Sequence, residues 1–292
     1  MHRDASAPAA MTVFDLPAVR TLVAAALAED IGRGDLTTQL TVPAGLRATA
    51  ALVAKQAGVL AGGPLVDRVF AALGARDVAI THHASDGSSF AAGARLVSLA
   101  GPAADLLTGE RTALNFVQRL SGVATLTRRY VEAVQGTRAR VVDTRKTTPG
   151  LRVLEKYAVR MGGGHNHRLG LDDGILIKDN HITAAGGVAA AVGAARHGAP
   201  HTARVQVECG TLEQVDEALA AGADALLLDN MGVDQIAAAV RHIAGRALVE
   251  ASGGVTLATI GAIATTGVDL ISVGALTHSA PAIDLSMKIR LL

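Results

Sequence analysis

The sequence predicts an α/β fold: a small mixed domain, then a parallel sheet wound from repeated strand–helix units. Three observations carry this. From Ala139 onward, short apolar runs alternate with Ala-rich amphipathic segments, at roughly two dozen residues per unit, the size of a βα repeat. Each run stops at charged or small polar residues. Residues 46–100 follow a different pattern, with short strand-like stretches around a single helical segment, as in a small α+β domain.

The elements follow in order. Apolar residues recur at helical spacing from Leu16 to Ala28, with Asp15 and Pro17 placed as a start signal. The segment Glu29 to Thr38 (EDIGRGDLTT) ends that helix in a glycine-rich turn. Strands are expected in RATAALVAKQAGVLAGG and ARLVSLAG, with a helix near 64–73 between them. Gly109 to Gly122 reads as a helix with Leu114, Val117 and Leu120 on one side, and Ala124 to Val134 as a second. The domain boundary is placed within this helical region. Six strands are then expected in ARVVDTRK, GILIKDNH, RVQVECG, ALLLDNM, ALVEASGG and DLISVGAL, with helices at 149–161, 184–197, 211–221, 232–244 and 256–266. In a closed or nearly closed α/β barrel the ends of such strands emerge on one face, where active sites sit. Six strands suit a smaller or incomplete barrel as well as a full one. A doubly wound open sheet is the alternative, weakened because no Gly-x-Gly-x-x-Gly follows a strand.

Composition narrows the function classes. Half of the 292 residues are hydrophobic, enough to bury a sizeable core without disulfides or a structural metal. There is no Trp and aromatic residues make up 2%, so Ala, Val, Leu and Ile must build that core. With 27 Lys and Arg against 26 Asp and Glu, nothing calls for nucleic acid or a membrane surface as partner. Cys209 is the only cysteine, which excludes an internal disulfide and a cysteine-based zinc site and points to a reducing cytoplasm. The first fourteen residues, MHRDASAPAAMTVF, read as a disordered leader and not a signal peptide. The longest charge-free run, Ala251 to Val268, holds four Gly, four Thr and a Ser, too polar for a membrane span.

The strand ends supply the candidate chemistry. Arg145, Lys146, His167, Arg168 and Lys178 lie on successive strand ends or the loop between them. Such a cluster suits a ligand with several carboxylates or phosphates, Arg as a two-pronged donor and Lys as a point charge. A solvated charged rim is the plain alternative. Glu208 and Asp229 end the next two strands. Carboxylates there can bind ribose hydroxyls, hold a divalent ion bridged to phosphate, or stabilise developing positive charge; an ion pair with a neighbouring cation would explain them equally. Asp143 and Glu250 are weaker candidates, since each could serve only to orient a basic neighbour. Ser252-Gly253-Gly254 and Val273-Gly274-Ala275 follow the last two strands, in the position where barrel loops close backbone N–H groups around a phosphate. His165 and His167 follow a triple glycine, but no Cys or third His stands at ligand spacing, so His167 reads as a donor to an anion rather than a metal ligand. Cys209 reads as a small buried residue.

The stretch from Asp143 to Ile182 (DTRKTTPGLRVLEKYAVRMGGGHNHRLGLDDGILIKDNHI) closely resembles the signature of quinolinate phosphoribosyltransferases, also called nicotinate-nucleotide pyrophosphorylases (carboxylating). AEDIGRGDLTT, GERTALNFVQRLSG, VEC, LLDNM, EASGG and ISVGALTHS match in order, from about residue 16 to the end. The resemblance implies an incomplete α/β barrel of about seven strands over residues 119–279. An N-terminal α/β sandwich domain would cover residues 1–118, with the segment 280–292 packing back on it. It implies a homodimer, or a higher oligomer, with shared active sites. Arg145, His167, Arg168 and Lys178 would hold the two carboxylates of quinolinate, with Arg111 reaching in from the partner subunit. Lys146 would lie between the pyridine and the phosphoribosyl group, and Lys146, Glu208 and Asp229 would carry the catalysis. Phosphoribosyl pyrophosphate (PRPP) would meet Thr144, Lys146, Glu208 and Asp229, with its 5′-phosphate on Ser252, Gly253, Gly254, Val273, Gly274 and Ala275. Mg2+ would enter mainly on PRPP, near Glu208 and Asp229. The activity implied is phosphoribosyl transfer to quinolinate with decarboxylation, in NAD biosynthesis. Three other readings remain: a paralogue of the same fold associated with molybdate transport, a Schiff-base aldolase using Lys146 or Lys178, and a non-catalytic anion-binding protein. Lys178 within LIKDNH and the intact HNHR favour the quinolinate enzyme over the paralogue.

Overall fold

The computed structural model describes residues 12–292 and divides the chain into two compact units. One comprises the chain up to Ser121 together with Ala282–Leu292; the other is Gly122–Pro281. The leader reading falls, for residues 1–11, outside the described residues. It extends too far at its other end. Phe14 is buried within a 3-10 turn, Val13–Asp15, where Asp15 accepts hydrogen bonds from Thr12 N and Oγ1.

In the first unit, α1 (Pro17–Ile31) starts with Pro at its first position, where no N–H is needed, and stops at Gly32. Val19, Val23 and Leu27, four apart, bury one face. A short α2 (Leu36–Thr41) follows, capped by the Asp35 carboxylate accepting from Thr38 N at 3.0 Å. Next come β1 (Arg47–Ala54), β2 (Gly58–Val59), α3 (Leu65–Leu73), β3 (Ala79–His82), β4 (Ser89–Phe90) and β5 (Arg95–Pro102). The buried positions of β1 alternate through Ala48, Ala50, Leu52 and Ala54. The C-terminal strand, β12 (Leu285–Leu291), lies antiparallel on the free edge of β1, giving the sheet order β12-β1-β5-β3.

A single helix, α4 (Ala103–Ala133), stands where the sequence reading has two. No proline interrupts it at Ser121-Gly122, and one interior glycine costs a helix only about 1 kcal/mol. Burial of Leu120, Val123 and Ala124 offsets that.

The second unit runs through β6 (Arg140–Val142), α5 (Arg152–Met161), β7 (Ile175–Ile177), α6 (Asp179–Ala185), α7 (Val188–Gly198) and β8 (Val205–Cys209). It continues with α8 (Leu212–Ala220), β9 (Ala225–Asp229), α9 (Val233–Ile243), β10 (Leu248–Ser252), α10 (Ile260–Thr265), β11 (Leu270–Ser272) and α11 (Ala275–His278). All six expected strands are present and pair in parallel in the order β6-β11-β10-β9-β8-β7. β6 and β7 are the two ends of that order, so the barrel is incomplete. A one-residue parallel bridge between Val142 and His165 adds a seventh, minimal strand outside β6. The helix expected at 184–197 is two: α6 starts directly after β7, and Gly186-Gly187 separates it from α7, glycine being a poor helix residue. No helix among the described residues is long and apolar enough to cross a membrane.

Candidate active site

The C-terminal ends of the barrel strands enclose a cavity of about 550 Å³. It gathers Thr144, Arg145 and Lys146 after β6, His167 and Arg168 before β7, and Lys178 after β7. Glu208, Asp229 and Ser252 end β8, β9 and β10 on its wall, and Gly253, Gly254, Val273, Gly274 and Ala275 complete the two late loops. Arg111 is the one proposed site residue outside this lining: it belongs to the first unit and is exposed on α4. Cys209, beside Glu208, is fully buried. Burial, reinforced by the Glu208 charge, pushes its thiol up to about 12, so it is no nucleophile.

The basic wall rests on a buried charge cluster. Asp143 and Lys156 are 0% and 3% exposed and ion-paired. Asp143 also accepts from Asn166 Nδ2 at 2.6 Å and His167 N at 2.9 Å, while Lys156 Nζ donates to His167 O at 2.9 Å. Burial pushes the Asp143 carboxyl above its ordinary value, against the pull of Lys156, Asn166 and the His167 N–H. The cluster clamps the His165–Arg168 loop from beneath. The triple glycine serves the same loop by close approach. A Cβ on Gly162 would sit 2.5 Å from Ala124 O and Thr127 Cβ.

Above this base the cations crowd. Burial and then repulsion from Arg145 lower the Arg168 pKa from its ordinary value, with Asp173 opposing. Arg168 Nη1 donates to Gly174 O at 2.9 Å. Arg145 lines the cavity, and its Nε is buried with no partner in the protein, a donor left unsatisfied. Lys178 Nζ reaches Glu208 Oε2 at 2.7 Å, the cation 47% exposed and the carboxylate 15%. The ion-pair alternative thus holds for these two as they stand, in a pair that lines the cavity. Such a half-exposed pair is weak, so a ligand carboxylate can displace Glu208 from Lys178.

Several lining or supporting residues escape sequence reasoning. Asn230, with φ at +55°, donates its side-chain N–H to Asp229 Oδ2 at 2.6 Å and its backbone N–H to Ser252 O at 3.0 Å. Asn is among the few residues that take this backbone readily, the one signal that could have marked it. Thr277, fully buried, donates to Lys146 O at 2.7 Å and ties the β6 loop to the start of α11. Gln206 and Lys156 look in the sequence like ordinary strand and helix residues. His278 also lines the cavity.

Gly253 has φ at +95°, and a Cβ there would lie 2.2 Å from Asn230 Oδ1; Gly254 has φ at +58° with nothing within 4 Å. Gly253→Ala should therefore destabilise by about 2–3 kcal/mol and Gly254→Ala by about 1 kcal/mol. Thermal unfolding of both variants checks the order, and equal losses would contradict the crowding.

The donor set also bears on a metal. No group of three or more His, Cys, Asp or Glu side chains among the described residues could enclose an ion. Asp229 and Glu208 on one wall fit Mg2+, which is bound through one or two carboxylates plus substrate phosphates rather than an all-protein cage.

Comparison with known proteins agrees with this fold. The family model described as quinolinate phosphoribosyl transferase, C-terminal domain, matches residues 123–288, and that of the N-terminal domain residues 35–121. The chain belongs to the quinolinate phosphoribosyltransferase family. A probable nicotinate-nucleotide pyrophosphorylase (carboxylating) from Synechocystis is 50% identical over 270 residues, covering 90% of each chain. The nicotinate-nucleotide pyrophosphorylase (carboxylating) from Mycobacterium leprae is 45% identical over 283 residues, 94% of this chain and 98% of its own. The solved structure of the nicotinate-nucleotide pyrophosphorylase from Francisella tularensis superposes with a TM-score of 0.88 at 40% identity, covering 96% of this chain and 99% of that one. Along the barrel the cavity collects cations from the first two strands, carboxylates from the next two and glycine loops from the last two.

Proposed function

We propose that this protein joins quinolinate to PRPP, releasing pyrophosphate and carbon dioxide and giving nicotinate mononucleotide for NAD synthesis. The observation that carries this is a single cavity with Arg145, Lys146, Arg168 and Lys178 facing Glu208 and Asp229, closed by two glycine loops.

The chain's own residues divide the work by charge. Arg145 and Arg168 take the carboxylates of the quinolinate dianion, and Lys178 joins them by leaving Glu208. The freed Glu208, with Asp229 held by Asn230, faces the ribose hydroxyls and the positive charge that develops at the anomeric carbon. Lys146, backbone-tethered by Thr277, lies between the two substrates. Thr144 accepts from Lys146 N at 3.0 Å and shapes the same turn. Loop N–H groups around Gly253 and Gly274 suit the 5′-phosphate. The ring nitrogen bonds to the anomeric carbon as the bond to pyrophosphate breaks. The pyridinium nitrogen then accepts the electron pair as the adjacent carboxylate leaves as carbon dioxide, and that ring carbon takes up a proton. Holding both substrates in this arrangement contributes several kcal/mol. Glu208 and Asp229 would hold Mg2+ together with the PRPP diphosphate, and the bound ion would neutralise charge on the leaving group.

A homodimer completes the site in this reading, with Arg111 on the exposed side of α4 reaching the partner's cavity. A reducing cytoplasm suits a chain whose one cysteine is buried. The Schiff-base reading lacks support: Lys178 is 47% exposed and ion-paired with Glu208, and Lys146 is exposed, so neither lysine is desolvated.

The test incubates the purified protein with PRPP, Mg2+ and either quinolinate or nicotinate, and resolves products by mass. Nicotinate mononucleotide from quinolinate alone is expected. Product from nicotinate alone would assign a non-decarboxylating transferase. No product from either, with folded protein, would favour the transport-linked paralogue.

A further inference from the structure

Beneath the basic wall runs a hydrogen-bond chain that the reaction above does not use. Glu250 is 1% exposed on β10, and Gln206 on β8 is 8% exposed. Glu250 Oε2 accepts from Gln206 Nε2 at 2.8 Å, and its Oε1 is buried without a partner. A carboxylate has no hydrogen to give, so Gln206 must turn its NH2 toward Glu250 and its oxygen the other way. That oxygen stands 3.2 Å from His167 Nε2 and calls for an N–H there. On the far side of the ring, Nδ1 lies 2.7 Å from Arg168 N, which can only donate. Both ring nitrogens are thereby assigned: the proton sits on Nε2 and the lone pair on Nδ1. The chain runs in one direction, from the Arg168 N–H through His167 and Gln206 to the buried charge of Glu250, which lies 3.6 Å from His167 Nε2.

We propose that Gln206 and Glu250 are positioning residues for the two-carboxylate substrate: they lock His167 as its Nε2–H tautomer and, through Nδ1, set the Arg168 backbone from which the guanidinium enters the cavity. Gln206 lies outside the cavity lining, and Glu250, though on its wall, is only 1% exposed. The lock has a polarity that only an acceptor at position 250 enforces. A neutral amide there could donate as well as accept, so Gln206 could flip, and with it the imidazole. This inference rests on the quinolinate reading of the cavity, and its tests are separable from it.

Three variants test it: Glu250→Gln, Gln206→Glu, and the exchange of both. Glu250→Gln should raise KM for quinolinate about tenfold while KM for PRPP stays within about twofold. Gln206→Glu sets two buried carboxylates against each other and should be at least as impaired. The double exchange rebuilds the polarity: the amide, now on β10, donates to the carboxylate, now on β8, and that carboxylate accepts from His167. It should return the quinolinate KM to within about threefold of wild type. A purely structural pair would move both KM values together or only the melting temperature. The lock is overturned if the double exchange is no better than the worse single variant, or if both substrates are affected alike. A second measurement needs no activity. In 15N-histidine spectra, with the His167 signal identified by His167→Gln, wild type and the double exchange should show Nε2–H, and Glu250→Gln a mixture. An Nδ1–H signal in wild type overturns the lock. Failure of wild type to make nicotinate mononucleotide would instead count against the reaction, leaving the spectra to decide the tautomer.

Discussion

Arg111→Ala and Lys178→Ala are each expected to lose at least about 100-fold in kcat/KM, and their mixture to regain about a quarter of wild-type activity. The loss follows from removing one cation from a dianion clamp, where a charge-assisted hydrogen bond contributes about 1.5–3 kcal/mol and leaves its partner unpaired when deleted. The recovery follows from two-fold symmetry. Random exchange of subunits makes about half the dimers mixed, and each mixed dimer holds one site with both substitutions and one with neither. One intact site in four is the result. Arg111 is exposed on α4 in the first unit, while Lys178 lines the cavity of the second, so the pair samples both contributions to the proposed shared site. Mixed dimers verified by mass and lacking any recovery would rule the shared site out.

The fold was largely legible because apolar runs bounded by polar ends are what a buried parallel strand requires. All six barrel strands have such runs. The Val142–His165 bridge has none, since one residue carries no periodicity, so the seventh strand could be reached only by resemblance. The join between the two helices read at 109–134 and the break inside 184–197 were misplaced for one reason. A lone glycine, Gly122, is tolerated when its neighbours are buried, whereas the pair Gly186-Gly187 is not, and local sequence does not separate these cases. At the cavity, strand ends are readable because barrel topology brings them to one face. What hid was the support. Lys156 sits among Leu154, Ala158 and Val159 on the buried face of α5 and looks like any helix lysine. Gln206 alternates with Val205 and Val207 along β8. Buried polar residues are conspicuous only once their partners, distant in sequence, are known.

Lys156→Met is the substitution expected to cost the most stability. It removes the one ammonium facing the fully buried Asp143 and leaves that carboxylate with Asn166 and the His167 N–H. Breaking a buried pair by deleting one partner costs about 3–5 kcal/mol, or about 10 °C in melting temperature for a chain of this size. The deficit should depend on pH in a definite direction. Asp143 already titrates above the ordinary aspartate value of 3.8 because of burial. A carboxyl raised in this way favours the folded state fully below its unfolded pKa and loses that contribution as pH rises through the folded one. Deleting Lys156 removes a cause that lowers the pKa, so the folded value climbs further and the contribution disappears over a higher range. The melting deficit of Lys156→Met should therefore widen from pH 5 to pH 8. Adding Asp143→Asn removes the stranded charge, and the double variant should melt above Lys156→Met at pH 8 although it lacks both charges. Quinolinate binding should not follow that rescue in full, because the clamp on His167 also used Lys156 Nζ on the His167 carbonyl. A deficit that is flat with pH, or a double variant less stable than Lys156→Met, would mean that the charge of Asp143 is not what Lys156 is there to hold.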